Sequence, residues 1–218
     1  MRFQWWRDVI DKSFAGNPVQ HPVSISIAKA VEKHQLSKMW FTKIIREREA
    51  HLTQSQFTSM DQLEQYAENT ASSLIYLHLE ALGIKDSNAE HAAGHLGKSI
   101  GISTILRGVV YQMEKRRFYL PAEIMAKHGI ITEEVFRGKE GLHDAVFEIA
   151  TRANDQLLTA RTFKTPKEAN PALLYSIPVE YWLQQLEKCD FHLFDPKLTR
   201  KSLVLPYRIF KNARQGTF

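Results

Sequence analysis

Apolar positions along this chain recur at intervals of three and four, the spacing that lines one face of an α-helix. Leu63, Tyr66, Ala67, Thr70, Leu74, Leu77 and Ala81 keep that interval, and so do Leu142, Val146, Ile149, Ala153 and Leu157. No segment alternates with period two for long enough to predict a sheet. Helix starts are marked too. Pro22, after His21, sits at a first-turn position and opens a helix over Val23 to His34. Ser59 with Gln62, and Ser87 with Glu90, read as capping boxes, in which the serine oxygen takes an orphan amide and the side chain three residues on returns the bond. Thr165-Pro166 with Glu168 repeats that signature, Pro121 starts a short helix and Gly83 is a C-terminal stop. The predicted fold class is all-α.

The helix opened by Ser87 has an unusual surface of small residues: Ala92, Ala93, Gly94, Gly97, Ser99 and Gly101. Glycines lower helix propensity, so such a stripe predicts close approach of a neighbouring helix or a ligand. Three chemical patterns fall on the same stretch. Gly97-Lys98-Ser99 passes a permissive phosphate-loop pattern, and Gly97 to Gly101 spells a nucleophile elbow. Each requires a turn after a strand, whereas Ser87 has already started a helix, so both are read as coincidence. His91 and His95 at i and i+4 lack the His-Glu-x-x-His order and a third ligand. Glu47, Glu49 and His51 are read the same way, because Arg46 and Arg48 alternate with the acids as on a salt-bridged face.

Composition narrows the class. With 218 residues, 44% of them hydrophobic, the chain can bury one sizeable core, and it is read as one domain over 1–218. Charges interrupt every apolar stretch well before the roughly 18 residues needed to span a bilayer. A lone Cys189 excludes an internal disulfide and suits a reducing compartment. Met1 to Trp6 has no apolar region of a signal peptide, and its paired tryptophans suggest the inside of a helix. The net charge of +5 is modest and does not point to nucleic acid. The basic residues concentrate in a tail over 196–218, where Lys197, Arg200, Lys201, Arg208, Lys211 and Arg214 occur without a single acid. Leu203, Val204, Leu205, Tyr207, Ile209 and Phe210 interleave with them. Two readings stand for this tail. Arg200, Lys201, Arg208 and Lys211 contact an anionic membrane or acidic partner, or the segment is a solvated terminal helix whose apolar residues pack inward.

The most specific block runs from Gly101 through Arg107-Gly108 and Gln112, then Lys115-Arg116-Arg117-Phe-Tyr119-Leu120-Pro121, to Ala126-Lys-His128-Gly129. It resembles the second signature of the squalene and phytoene synthase family, in which an Asp-x-x-x-Asp pair follows an Asn-Ile-Leu-Arg-like run and precedes a basic turn and Tyr-Leu-Pro. Trp6 to Pro22-Val23, Leu63 to Ala67, and Glu180-Tyr181-Trp182-Leu183 to Phe194 are similar to further family segments in the same order. The resemblance covers nearly the whole chain and implies a single-domain isoprenoid-synthase-like helical bundle, here without the family's leading helices. It also implies where the chemistry departs. Family members ionise an allylic diphosphate with magnesium held by carboxylates. At the matching positions this chain carries Gly108 and Gln112, and His51 stands where a further Asp is usual. Arg107, Lys115, Arg116 and Arg117 remain as a basic lip able to meet an anion, with no catalytic residue, metal or cofactor assigned.

Gln4-Trp5-Trp6-Arg7-Asp8, Tyr66 to Leu74 and Leu79 to Asp86 are similar to a mitochondrial branch of that family. This implies a non-catalytic matrix protein, peripheral on the inner membrane, that supports biogenesis of respiratory complex I. Its partners would be complex I subunits or other assembly factors, and its transit peptide would lie outside this chain. An active prenyl transferase and a lipid- or isoprenoid-binding module are the alternatives.

Overall fold

One helix of 28 residues, about 42 Å long at 1.5 Å per residue, organises the molecule. It appears in a computed structural model that describes residues 2–54, 56–136 and 141–218. In chain order the helices are α1 (Arg2–Phe14), α2 (Pro22–His34), α3 (Lys38–Thr53), α4 (Met60–Ala67), α5 (Ser73–Ala81), α6 (Ser87–Glu114), α7 (Ala122–Lys127), α8 (Thr132–Phe136), α9 (His143–Thr162), α10 (Asn170–Leu173), α11 (Ser176–Lys188) and α12 (Leu205–Gln215). Among the described residues there is no strand. The all-α expectation holds.

Several helix ends follow from their capping chemistry. Pro22 is the first residue of α2, and the His21 ring nitrogen Nδ1 accepts the Val23 N–H at 3.3 Å. Ser59 caps α4 by accepting the Gln62 N–H at 3.2 Å. The return bond, however, reaches one residue further back, from the Thr58 N–H to Gln62 Oε1 at 2.6 Å. Gly83 adopts φ +72°, the left-handed geometry that ends α5, with the Ile84 N–H bonded to the Leu79 carbonyl at 2.9 Å. Trp5 and Trp6 lie inside α1, edge to face at 4.8 Å.

Two start signals resolve differently. The cap of α6 is Asp86, whose carboxylate accepts the Ala89 N–H at 2.8 Å, and Ser87 is already helical. A carboxylate one residue upstream satisfies the amide and also complements the helix dipole, so it displaces the serine. Thr165 caps nothing: after Pro166 the chain makes a short 3-10 turn over Lys167–Ala169 with no side-chain cap and continues into α10.

The run from Leu63 to Ala81 is not one regular helix. Glu68–Ser72 forms a π-helical turn between α4 and α5. The extra residue advances the phase of the turns after it. Ile75, Leu77 and Leu79 turn inward, and Leu74, assigned to the apolar face by its spacing, is 47% exposed.

The small-residue stripe of α6 packs against this irregular element. A Cβ on Gly97 would collide with the backbone nitrogen, Cα and Oγ of Ser72, and one on Gly101 with Cβ and Cα of Ala67. At Gly94 it would come within 2.7 Å of the Tyr76 hydroxyl. Ser72 Oγ donates to the Gly94 carbonyl at 2.9 Å. The stripe therefore serves helix–helix contact.

Two apolar cores form along α6. One gathers Leu63, Ile102, Leu106, Leu120, Val146, Ile149 and Leu186, and the other Ile75, Leu79, Leu96, Leu157 and Leu173. Ion pairs brace the outside, among them Glu64 with Arg152, and Arg161 forked onto Glu180 at 2.8 and 3.1 Å.

Candidate functional site

The C-terminal half of α6, α11 and the segment 193–205 enclose a basic cleft. The Pro196–Thr199 turn starts where Asp195 caps it, its carboxylate accepting the Lys197 N–H at 2.7 Å. That bond, more than the nearby Lys197 charge, holds the Asp195 carboxyl below its ordinary range. The turn carries Lys197, Arg200 and Lys201 back across α6, where they meet Arg107. Two adjoining hollows of about 400 and 450 Å³ share Arg107, Trp182, Leu198, Arg200 and Lys201 in their walls. Tyr181, Gln185 and Ser202 add hydrogen-bonding groups on one side, and Leu106, Val110 and Leu193 an apolar floor on the other. Lys197 lies 3.8 Å from Asp195. Among the described residues, Arg107, Arg200 and Lys201 have no carboxylate within ion-pair distance.

This arrangement regroups the sequence-predicted residues. Lys115, Arg116 and Arg117 do not line either hollow; they lie two turns further along, about 12 Å by helical rise. They form the end of α6, with Arg116 left-handed at φ 55° and the Arg117 N–H returning to the Gln112 carbonyl at 2.9 Å. Lys115 also packs over the Tyr111 ring at 4.2 Å. The single basic lip expected from the sequence is thus divided. Arg107 joins the tail bases, and the other three cap a helix whose negative dipole end they complement. Arg208 is turned onto α11, donating to Gln184 Oε1 at 3.1 Å and lying 5.5 Å from the Tyr181 ring centre, whereas Lys211 faces solvent.

Gly108 and Gln112 occupy one face of α6, a turn apart, and a Cβ at Gly108 would meet nothing within 4 Å. Space for a carboxylate exists there, but the groups present are a hydrogen and a neutral carboxamide. That donor set does not fit a magnesium ion, which takes charged oxygen ligands. Among the described residues no group of three or more His, Cys, Asp or Glu is placed to hold a metal.

The remaining candidates take structural roles. Gly97-Lys98-Ser99 lies in mid-helix, and Lys98 sits 3.9 Å from Glu68. His91 and His95 both stack on Phe163, and His95 Nδ1 lies 2.7 Å from Gln156 Oε1. Glu47 and Glu49 are engaged from other helices, by Asn69 and Arg7, rather than by the neighbouring arginines. His51 stands in a ring of Phe57, Tyr66 and Tyr119, with centroids 4.9, 4.7 and 4.5 Å away. Its Nδ1 is buried without a hydrogen-bond partner, and burial pushes its pKa below the ordinary 6.5. Burial likewise raises the Cys189 thiol.

The squalene/phytoene synthase family model matches residues 1–206. The chain is 41% identical over 214 residues to "NADH dehydrogenase (ubiquinone) complex I, assembly factor 6" of Mus musculus, covering 96% of this chain and 64% of that protein. The Homo sapiens protein of the same name is 40% identical over 222 residues, covering 100% and 67%. The structure of a dehydrosqualene synthase in complex with ligand superposes with a TM-score of 0.81 over 97% of this chain and 76% of that one, at 20% identity. At that identity the likeness is one of fold. The chain spans 64% of the length of the mouse relative.

Proposed function

The chain belongs to the squalene/phytoene synthase family, and from this premise we propose that it is an assembly factor for mitochondrial respiratory complex I, acting by binding rather than by prenyl transfer. The observation that carries the proposal is that Gly108 and Gln112, half-buried and a turn apart on α6, stand at the positions where the family resemblance implies paired carboxylates. Ionising a diphosphate requires divalent metal, and neither Gly108 nor Gln112 carries a charged oxygen to hold it. The similarity to proteins named complex I assembly factor 6 over 96% of the chain supports the same reading. The partners are complex I subunits or other assembly factors, met on the matrix side of the inner membrane. No helix among the described residues is long and apolar enough to cross a membrane, so attachment is proposed to be peripheral.

Cells lacking the endogenous assembly factor test this directly. Expressing the protein, targeted to mitochondria, is expected to restore assembled complex I on native gels. Failure to restore it, with the protein present and folded in the matrix, would count against the proposal.

The basic cleft favours a second reading, a module that holds an isoprenoid or lipid with a phosphate head. Arg107, Arg200 and Lys201 suit the head, and Trp182 with Leu106 and Leu193 the body. Native mass spectrometry of the purified protein would reveal a copurifying lipid.

A further inference from the structure

The tail helix α12 is two-faced. Leu205 is half-buried, Arg208 and Ile209 turn toward the body of the protein, and Arg208 is held by Gln184 and Tyr181 of α11. Both ends are tied down. The Leu205 N–H donates to Ser202 Oγ at 3.1 Å, and beyond α12 the Phe218 carbonyl accepts Arg161 Nε at 3.0 Å while its ring packs on the second apolar core. The opposite face is left bare. Leu203 is 92% exposed, Val204 54%, Tyr207 65% and Phe210 61%. Tyr207 and Phe210, three residues apart on α12, share one face, and the exposed Leu203 and Val204 lie in the bend that leads into the helix. Arg200 and Lys201 stand before these residues, Lys211 and Arg214 after them, all exposed, and no acid occurs after Asp195.

We infer that the outer face of α12 is a docking surface for an anionic lipid bilayer, lying in the plane of the interface with Leu203, Val204, Tyr207 and Phe210 entering between the headgroups. Charge and apolarity select this occupant. A strongly amphipathic helix with bases flanking its apolar face binds interfaces through both forces together, and each base near an anionic leaflet strengthens binding about fivefold. Because α12 is held on α11 through Arg208, and Phe218 beyond it is held by Arg161 of α9, the exposed residues are presented on a fixed mount rather than on a fraying end. The inference rests on the proposed peripheral attachment and names the surface that makes it.

Cosedimentation of the purified chain with vesicles tests the inference without any complex I component. Binding is expected to vesicles of mixed phosphatidylcholine and phosphatidylglycerol, not to phosphatidylcholine alone, and to weaken as salt rises. One variant, Lys211→Glu with Arg214→Glu, reverses the bases of the outer face and leaves Arg208 and the cleft bases Arg200 and Lys201 in place. A second, Leu203→Ser with Tyr207→Ser and Phe210→Ser, removes the apolar term from residues on the bare face. Each is expected to lower the partition coefficient at least tenfold with an unchanged circular-dichroism spectrum. Equal binding to both vesicle types, undiminished binding by either variant, or no binding by the parent would overturn the inference; the last result would assign the face to an acidic protein partner. Complementation of complex I assembly is read separately, so the two proposals fail independently.

Discussion

Gly97 lies directly against the backbone of Ser72, so that α6 and the π-helical turn meet where neither side has room for another atom. Gly97→Ala is therefore expected to force the helices apart and destabilise the protein by about 1–3 kcal/mol, the usual cost of overpacking. Gly108, on the same helix, has open space where a Cβ would go. Gly108→Ala is expected to stabilise by up to about 1 kcal/mol through helix propensity alone. Urea denaturation of the two variants checks the opposite signs, and similar effects at both positions would show that the stripe is not a contact.

With farnesyl or geranylgeranyl diphosphate and magnesium, the protein is expected to release no pyrophosphate, and magnesium should not shift its melting temperature. Gly108→Asp combined with Gln112→Asp creates two carboxylates a turn apart in open space. That variant is expected to fold with a stability change within about 1 kcal/mol and to gain a magnesium-dependent shift. Pyrophosphate release by the parent would defeat the non-catalytic reading.

His51 carries a prediction about pH. Its folded pKa is depressed by burial, so below the ordinary 6.5 the unfolded chain takes up a proton that the folded one resists. Stability is then complete above that value and falls as pH drops toward the folded pKa. His51→Phe preserves a ring among Phe57, Tyr66 and Tyr119 and removes the titrating group. It is expected to flatten the stability profile in the window below 6.5, measured by denaturation at a series of pH values. A slope there equal to the parent's would place the linkage in another group.

Local rules in the sequence reach local features. Pro22, Ser59 and Gly83 mark helix ends because the groups they satisfy lie within a few residues of them. The glycine stripe predicts a close neighbour because a missing Cβ has few other uses in mid-helix. The π-helical turn was not legible: one extra residue in Glu68–Ser72 leaves no compositional mark, and its effect shows only in Leu74 facing out. Nor does spacing reveal that Arg107 meets Arg200 and Lys201 while Lys115, Arg116 and Arg117 cap a helix. That grouping depends on a crossing more than ninety residues away in sequence, decided by how the 196–205 segment returns over α11. Interleaved bases and apolar residues made the tail's amphipathic character visible, but which side of α12 the body would cover is a tertiary fact.

The length of α6 bears on how the molecule comes apart. Both apolar cores are assembled on the same rod, with Leu96 in one and Ile102 and Leu106 in the other, less than three turns apart. Neither core can melt while the shared rod stays helical and dry along its whole length. Opening one strips the packing from half of α6 and leaves a bare apolar helix beside the other core. Thermodynamic linkage of this kind favours a single cooperative transition over stepwise loss, and it makes the central turns of α6, around Gly97 to Ile102, the last amides to exchange with solvent.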